Sequence, residues 1–218
     1  FSRLEILVLD EADRMLDMGF INAVETIAAA TPSTRQTLLF SATLEGNIAK
    51  LAQRLLKNPQ RIQITSAQAK HEHIEQPLHR TDDDGHKQRM LGHLLIEDTV
   101  DKTIIFTATK RGADKLARTL QANGHKVAAL HGDMNQSARN RVIHQLRGGT
   151  LRVLVATDVA ARGIDVSGVS HVINFDLPRS AEDYVHRIGR TGRAGANGTA
   201  ISFAAPDECR LLRDIERY

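Results

Sequence analysis

Leu4-Glu5-Ile6-Leu7-Val8-Leu9-Asp10-Glu11-Ala12-Asp13 is an apolar run of strand length that ends on adjacent carboxylates. Its apolar residues do not alternate cleanly with polar ones, which fits a strand covered on both faces, as in parallel sheets. Comparable runs recur outward from it at Thr37–Ser41, Arg61–Thr65, Thr103–Thr107, Lys126–Leu130, Arg152–Ala156, His171–Asn174 and Thr199–Phe203. Helical patterns near 20–30, 45–56, 87–97, 111–122, 136–147, 180–190 and 207–217 fall between them. This alternation predicts an α/β protein built on doubly wound parallel sheets.

The stretch 66–84 has no sustained period and contains Pro77, so it reads as a linker and first edge segment. Residues 85–218 then hold five strands, a complete domain; 1–65 hold three, the second half of another. The opening at Phe1, without Met or a signal-type stretch, reads as a piece of something longer. His71, His73 and His79 lack the Cys or carboxylate spacing of a metal site.

Among the 218 residues 41% are hydrophobic, which excludes a disordered tail. No apolar run approaches the roughly 18 residues of a membrane span, so no membrane partner is expected. The lone Cys209 can form neither an internal disulfide nor a Cys-rich zinc site, which suits a reducing, cytoplasmic setting. Residues 1–75 carry 8 basic and 9 acidic side chains and 76–218 carry 21 and 17, so the net +3 resides in the later part.

Five motifs carry chemistry. At the carboxyl end of a strand, Asp10 can hold the Mg²⁺ of a nucleotide while Glu11 orients and deprotonates a water; an acidic helix start would look alike. Ser41-Ala42-Thr43 can cap the helix near Glu45 or sit within hydrogen-bonding reach of Asp13. In Thr157-Asp158-Val159-Ala160-Ala161-Arg162-Gly163-Ile164-Asp165, Gly163 allows close backbone approach, and Asp165 suits a sugar hydroxyl or a turn.

The sharpest motif is His186-Arg187-Ile188-Gly189-Arg190-Thr191-Gly192-Arg193. Ser180 with Asp183 forms a capping-box start. The register then groups Ala181, Tyr184, Val185 and Ile188 in one apolar stripe, with His186, Arg187, Arg190 and Arg193 facing away from it if the helix continues, and with the glycines at 189 and 192 as an alternative end to it. Planar guanidinium forks at that spacing match a phosphoryl group in transfer. Fifth, Gln136 and Arg139 occupy the first turn of a helix, where Arg139 can reach a phosphate or an internal carboxylate.

Together, and in this order, these motifs and Ile104-Ile105-Phe106-Thr107 resemble the DEAD-box RNA helicases of superfamily two, over Leu4 to about Ala205. Within bacteria the likeness is greatest to the SrmB- and RhlE-like ribosome-assembly helicases. The resemblance implies two RecA-like domains closing over ATP, Mg²⁺ and single-stranded RNA, with ribosomal RNA and ribosome-assembly proteins as partners. It implies Asp10 and Glu11 at Mg²⁺, mostly through water, with Glu11 as general base. It implies Asp13, Ser41, Thr43 and His186 as the coupling contact and Arg190 and Arg193 as arginine fingers. Gly163 and Asp165 would face the ribose, and Gly132, Arg139 and Thr157 the RNA backbone.

Eight aromatic residues and no Trp leave few stacking platforms, so phosphate and 2′-hydroxyl contacts should dominate. No G-x-x-x-x-G-K-[ST] phosphate loop occurs in these residues, so this stretch alone is expected not to hydrolyse ATP. A non-catalytic RNA-binding module and a DNA helicase of the same superfamily are the alternative readings.

Overall fold

A computed structural model describes residues 1–42, 44, 46–63, 73–97, 100–161 and 164–217. Two units are distinguished, Phe1–Ser66 and Ala67–Tyr218. The first contains β1 (Ile6–Leu9), α1 (Ala12–Asp17), α2 (Ile21–Ala29), β2 (Gln36–Leu39) and α3 (Gly46–Leu55). β1 and β2 pair in parallel, from Ile6 opposite Gln36 to Leu9 opposite Leu39. Leu9, Ala12, Val24, Ala28, Ile48 and Leu51 are buried, whereas Ile6 and Val8 are exposed. Successive strand side chains point to opposite faces, so one face of this pair is packed and the other open, not the two-sided burial the sequence predicts.

No strand forms over Arg61–Gln63, and Ile64 and Thr65 lie outside the described residues. A strand persists through a paired neighbour, and the described residues of this unit form the β1–β2 ladder alone.

The second unit contains β3 (Ile74–Glu75), β4 (Leu78–Arg80), α4 (Asp84–Leu94), β5 (Lys102–Phe106), α5 (Lys110–Ala122), β6 (Val127–Leu130) and α6 (Gln136–Arg147). It continues with β7 (Val153–Ala156), α7 (Asp158–Ala161), β8 (Val169–Asn174), α8 (Ala181–Ile188), β9 (Gly198–Ala204) and α9 (Cys209–Glu216). The sheet is parallel throughout, in the order β3-β9-β8-β5-β7-β6, with β4 also on β9. Part of the expected linker therefore folds as two short edge strands; 66–72 lie outside the described residues.

The sheet is wound on both faces. Leu91 of α4, Leu95 just past its end, and Ala113, Leu116 and Leu120 of α5 share one core with Ile105, Val155, Ile173 and Phe203. Val142, Leu146 and Ile188 of α6 and α8 share the other with Ile104, Leu154, Val172 and Ala200. Side-chain oxygens start these helices, each accepting a backbone N–H that the helix leaves unpaired. Asp83 takes that of His86 at 2.7 Å, Thr109 that of Gly112 at 2.9 Å, Asn135 that of Ala138 at 2.8 Å and Ser180 that of Asp183 at 3.2 Å. The Asp83 cap also explains why α4 begins at Asp84 rather than near 87. Among the described residues no helix is long and apolar enough to cross a membrane.

Candidate functional site

In the first unit, Phe40 N–H donates to the Leu9 carbonyl at 2.8 Å and Ala12 N–H to the Phe40 carbonyl at 3.0 Å. These bonds lace the ends of β1 and β2, so Asp10-Glu11 emerges beside Ser41-Ala42. Glu11 turns the chain from strand into α1 in the left-handed region, at φ 52° and ψ 47°, a conformation costing a non-glycine residue about 1–2 kcal/mol. Its N–H donates to Asp10 Oδ1 at 2.9 Å, which steadies the turn. Asp10 is exposed and Glu11 half-buried, two carboxylates at one strand end.

Asp13 Oδ1 accepts the Arg14 N–H at 3.0 Å. Ser41 Oγ is buried and has no hydrogen-bond partner among the described residues. It therefore makes neither the helix cap nor the bond to Asp13 that the sequence suggests, and Asp13 turns an oxygen to the backbone instead. Thr43 lies outside the described residues.

In the second unit, β5 is flanked by β7 on one side and β8 on the other. The chain completes β6 and β7 before crossing to β8, so the winding reverses at β5, and the crevice at such a reversal is the usual ligand position in open α/β sheets. Here a side chain fills it. Arg187 is 2% exposed. Its Nε and Nη2 donate to Asp158 Oδ1 and Oδ2 at 2.6 and 2.8 Å, and its Nη1 donates to Asn174 Oδ1 at 3.1 Å and the Asp176 carbonyl at 2.7 Å. The guanidinium lies 4.9 Å from the centre of the Phe106 ring. The cleft remaining between Phe106, Asp158, Asp183, His186, Arg187 and Arg190 is about 20 Å³, far below the roughly 300 Å³ of a small-molecule pocket.

Arg187 thus does not face away from its core as the helical wheel suggests. On that wheel it lies about 60° from Tyr184, at the flank of the apolar stripe. A carboxylate waiting at Asp158 draws it inward. That pairing was the missed functional contact, and the available signal was an Asp at the mouth of a buried strand opposite an Arg beside an apolar stripe.

Gly189 ends α8, so Arg190 and Arg193 leave the helix, unlike the continuous 180–190 pattern. Arg190 Nη1 donates to the Ile164 carbonyl at 3.0 Å. Arg193 Nε donates to the Gly189 carbonyl at 2.9 Å, and its Nη1 meets Asp165 Oδ1 at 3.2 Å. The Asp165 side chain is 88% exposed. Gly192 sits at φ +64°, and a Cβ there would lie 2.7 Å from Ile74 Cγ1. Both demands require glycine, and the turn they permit sends Arg193 to Asp165. Gly163 lies outside the described residues.

Arg139 Nη2 donates to the Ala160 carbonyl at 3.3 Å, a main-chain target rather than a carboxylate. Gln136 Nε2 donates to Asn140 Oδ1 at 2.9 Å. Thr157 is buried, and its carbonyl accepts the N–H groups of Ala160 and Ala161, which starts α7. Gly132 is exposed beside Lys110, which pairs with Asp133. The Lys110 hydrogen bond holds the Asp133 carboxyl below its usual value. At the end of β8, burial raises the Asp176 carboxyl, opposed by the Ala108 N–H and the Lys87 ammonium. Lys87, 2% exposed, meets Glu208 at 2.6 Å.

The sequence and the structure are similar to those of known proteins. The family model "Helicase conserved C-terminal domain" matches residues 86–195 and "DEAD/DEAH box helicase" matches 1–51. The ATP-dependent RNA helicases SrmB of Haemophilus influenzae and Escherichia coli are 47% and 48% identical over 216 residues, 99% of this chain and 49% of each relative. The DEAD-box ATP-dependent RNA helicase CshA of Bacillus cereus is 45% identical over 99% of this chain and 41% of its own length. The chain thus spans about half the length of the curated relatives it matches. The structure of S. cerevisiae Dbp5 bound to RNA and ADP BeF3 has a TM-score of 0.89 at 36% identity, covering 100% of this chain and 58% of that one. E. coli SrmB bound to regulator of ribonuclease activity A has a TM-score of 0.64 at 47% identity, covering 66% of this chain and 85% of that one.

Proposed function

This chain belongs to the DEAD-box family of superfamily-two helicases, and from that premise we propose that it forms the part of an ATP-dependent RNA helicase that couples ATP hydrolysis to local duplex unwinding. Asp10 and Glu11 stand where the nucleotide phosphates would be met. Their donors are carboxylate oxygens at one strand end, the ligand type that Mg²⁺ prefers. Bound there, Mg²⁺ would neutralise charge on the transferring phosphate. Glu11 accepts the proton of the attacking water and Asp10 orients the site. To Asp13, Ser41, Thr43 and His186 we assign the coupling of RNA binding to hydrolysis.

The observation that carries this reading is the contrast between Arg187 and Arg193. Arg187 is committed to the interior, whereas Arg193 is held by a solvent-exposed pair with Asp165. Exposed pairs contribute about 0–1 kcal/mol, so a phosphate displaces that carboxylate at little cost. Arg193 accordingly serves as an arginine finger, freeing Asp165, with Gly163, for the ribose, and the family resemblance assigns Arg190 to the same role. Gly132, Arg139 and Thr157 hold the RNA backbone. The 47–48% identity to the ATP-dependent RNA helicases SrmB supports RNA as the substrate; ribosomal RNA and ribosome-assembly proteins as partners, and a cytoplasmic setting, belong to the proposal.

The test is RNA-stimulated ATP hydrolysis by the full-length protein with Glu11→Gln and Arg190→Ala. Arg190→Ala should lower kcat by about 10³-fold, the arginine-finger scale, with ATP affinity changed less. Turnover equal to that of the unmodified protein would remove the residue from its role. Stimulation by DNA but not RNA would overturn the substrate assignment.

A further inference from the structure

The outward face of α5 carries Arg111, Lys115 and Arg118, all exposed. At i, i+4 and i+7 they form one stripe, with successive cations about 6 and 4.5 Å apart along the axis. Their side chains have no hydrogen-bond or ion-pair partner among the described residues. Asp114, the acid on this face, is engaged by His131 Nε2 at 3.0 Å. These cations line an open groove of about 330 Å³ together with Thr119 and Asp114.

From this arrangement we infer that the face is a docking track for an RNA strand as it leaves the loops at the sheet edge, an inference that rests on the RNA reading above. The stripe begins at those loops. Lys110, one residue ahead of it, pairs with Asp133, and its Cε lies 3.6 Å from where a Cβ on Gly132 would stand. Together with His131–Asp114, this seats residues 131–133 on the first two turns of α5. A strand crossing Gly132 therefore meets Arg111 next, then Lys115 and Arg118.

The chemistry favours phosphate over other occupants. Among the described residues the groove has no aromatic side chain on which a base could stack, and no large apolar side chain to anchor a protein partner. What it offers is charge at short intervals, which binds a backbone by releasing counterions.

The test is binding of labelled oligouridylates to this chain across a salt series, comparing about six nucleotides, enough for the loops at the sheet edge alone, with about twenty. In the combined variant Arg111→Gln, Lys115→Gln and Arg118→Gln, the salt dependence for the long RNA should weaken by a slope of about 2, at about 0.7 per lost contact. The short RNA should bind as before, and Arg111→Lys with Arg118→Lys should retain the slope. An unchanged slope for the long RNA, or an equal loss for the short one, overturns the inference. Failure of the unmodified chain to bind either RNA overturns the functional reading along with it.

Discussion

Asp158→Ala would strand the Arg187 guanidinium inside the sheet edge. Arg187 is 2% exposed at its side chain and Asp158 29%, and the pair is joined at 2.6 and 2.8 Å. Breaking a buried pair by deleting one partner costs about 3–5 kcal/mol, because the remaining charge is uncompensated. Water that reaches the Asp158 side places the expected loss near about 3 kcal/mol. For a unit of this size that is a fall in Tm of about 6–12 °C, read by circular dichroism or calorimetry. Arg187→Met removes the charge and keeps most of the apolar volume against Phe106, so the double variant should be no less stable than Asp158→Ala alone. The cycle should then show a coupling of about 2 kcal/mol or more. Simple addition of the two single losses would refute the claim that Asp158 exists to neutralise Arg187.

Burial holds the His171 imidazole below its ordinary 6.5, against the opposing pull of Glu97. The unfolded chain then takes up the proton first, so the stability His171 contributes is present above 6.5 and lost as pH falls through its folded value. His171→Gln should flatten the decline of Tm below that pH; a slope matching the unmodified chain would contradict this. Gly192→Ala should lower stability by more than the about 1–2 kcal/mol of left-handed strain, since Ile74 Cγ1 also stands in the way. Adding Ile74→Ala should not deepen the loss by its full separate amount, and strict additivity would argue against the contact. Ser180→Ala should cost about 1 kcal/mol through loss of the α8 cap, measurable in urea; no change in midpoint would dismiss the cap as a support for the arginine segment.

Local pattern was enough for much of this. Runs rich in Val, Ile and Leu at 103–107, 153–156 and 171–174 can be buried on both faces only in a covered parallel sheet, and they are. Ser180 and Asp183 marked the start of α8 because a cap is satisfied within one turn. For 66–84 the sequence suggested a linker and edge segment but not two separate strands, because two or three residues carry no period; their state depends on β9, more than a hundred residues away. The helical wheel misplaced Arg187 for a related reason. A wheel ranks residues by polarity, whereas burial of a charge depends on what faces it, and Asp158, Asn174 and the Asp176 carbonyl meet it only because β7 and β8 flank β5.

Which residue types serve phosphate chemistry, and in what order they run, is a property of the chain as written, since carboxylates, guanidiniums and glycines keep their chemistry wherever they are placed. Which arginine is spent on the interior and which is left at the surface is settled by packing, because a buried cation is stable only opposite partners that strands distant in the chain bring to it.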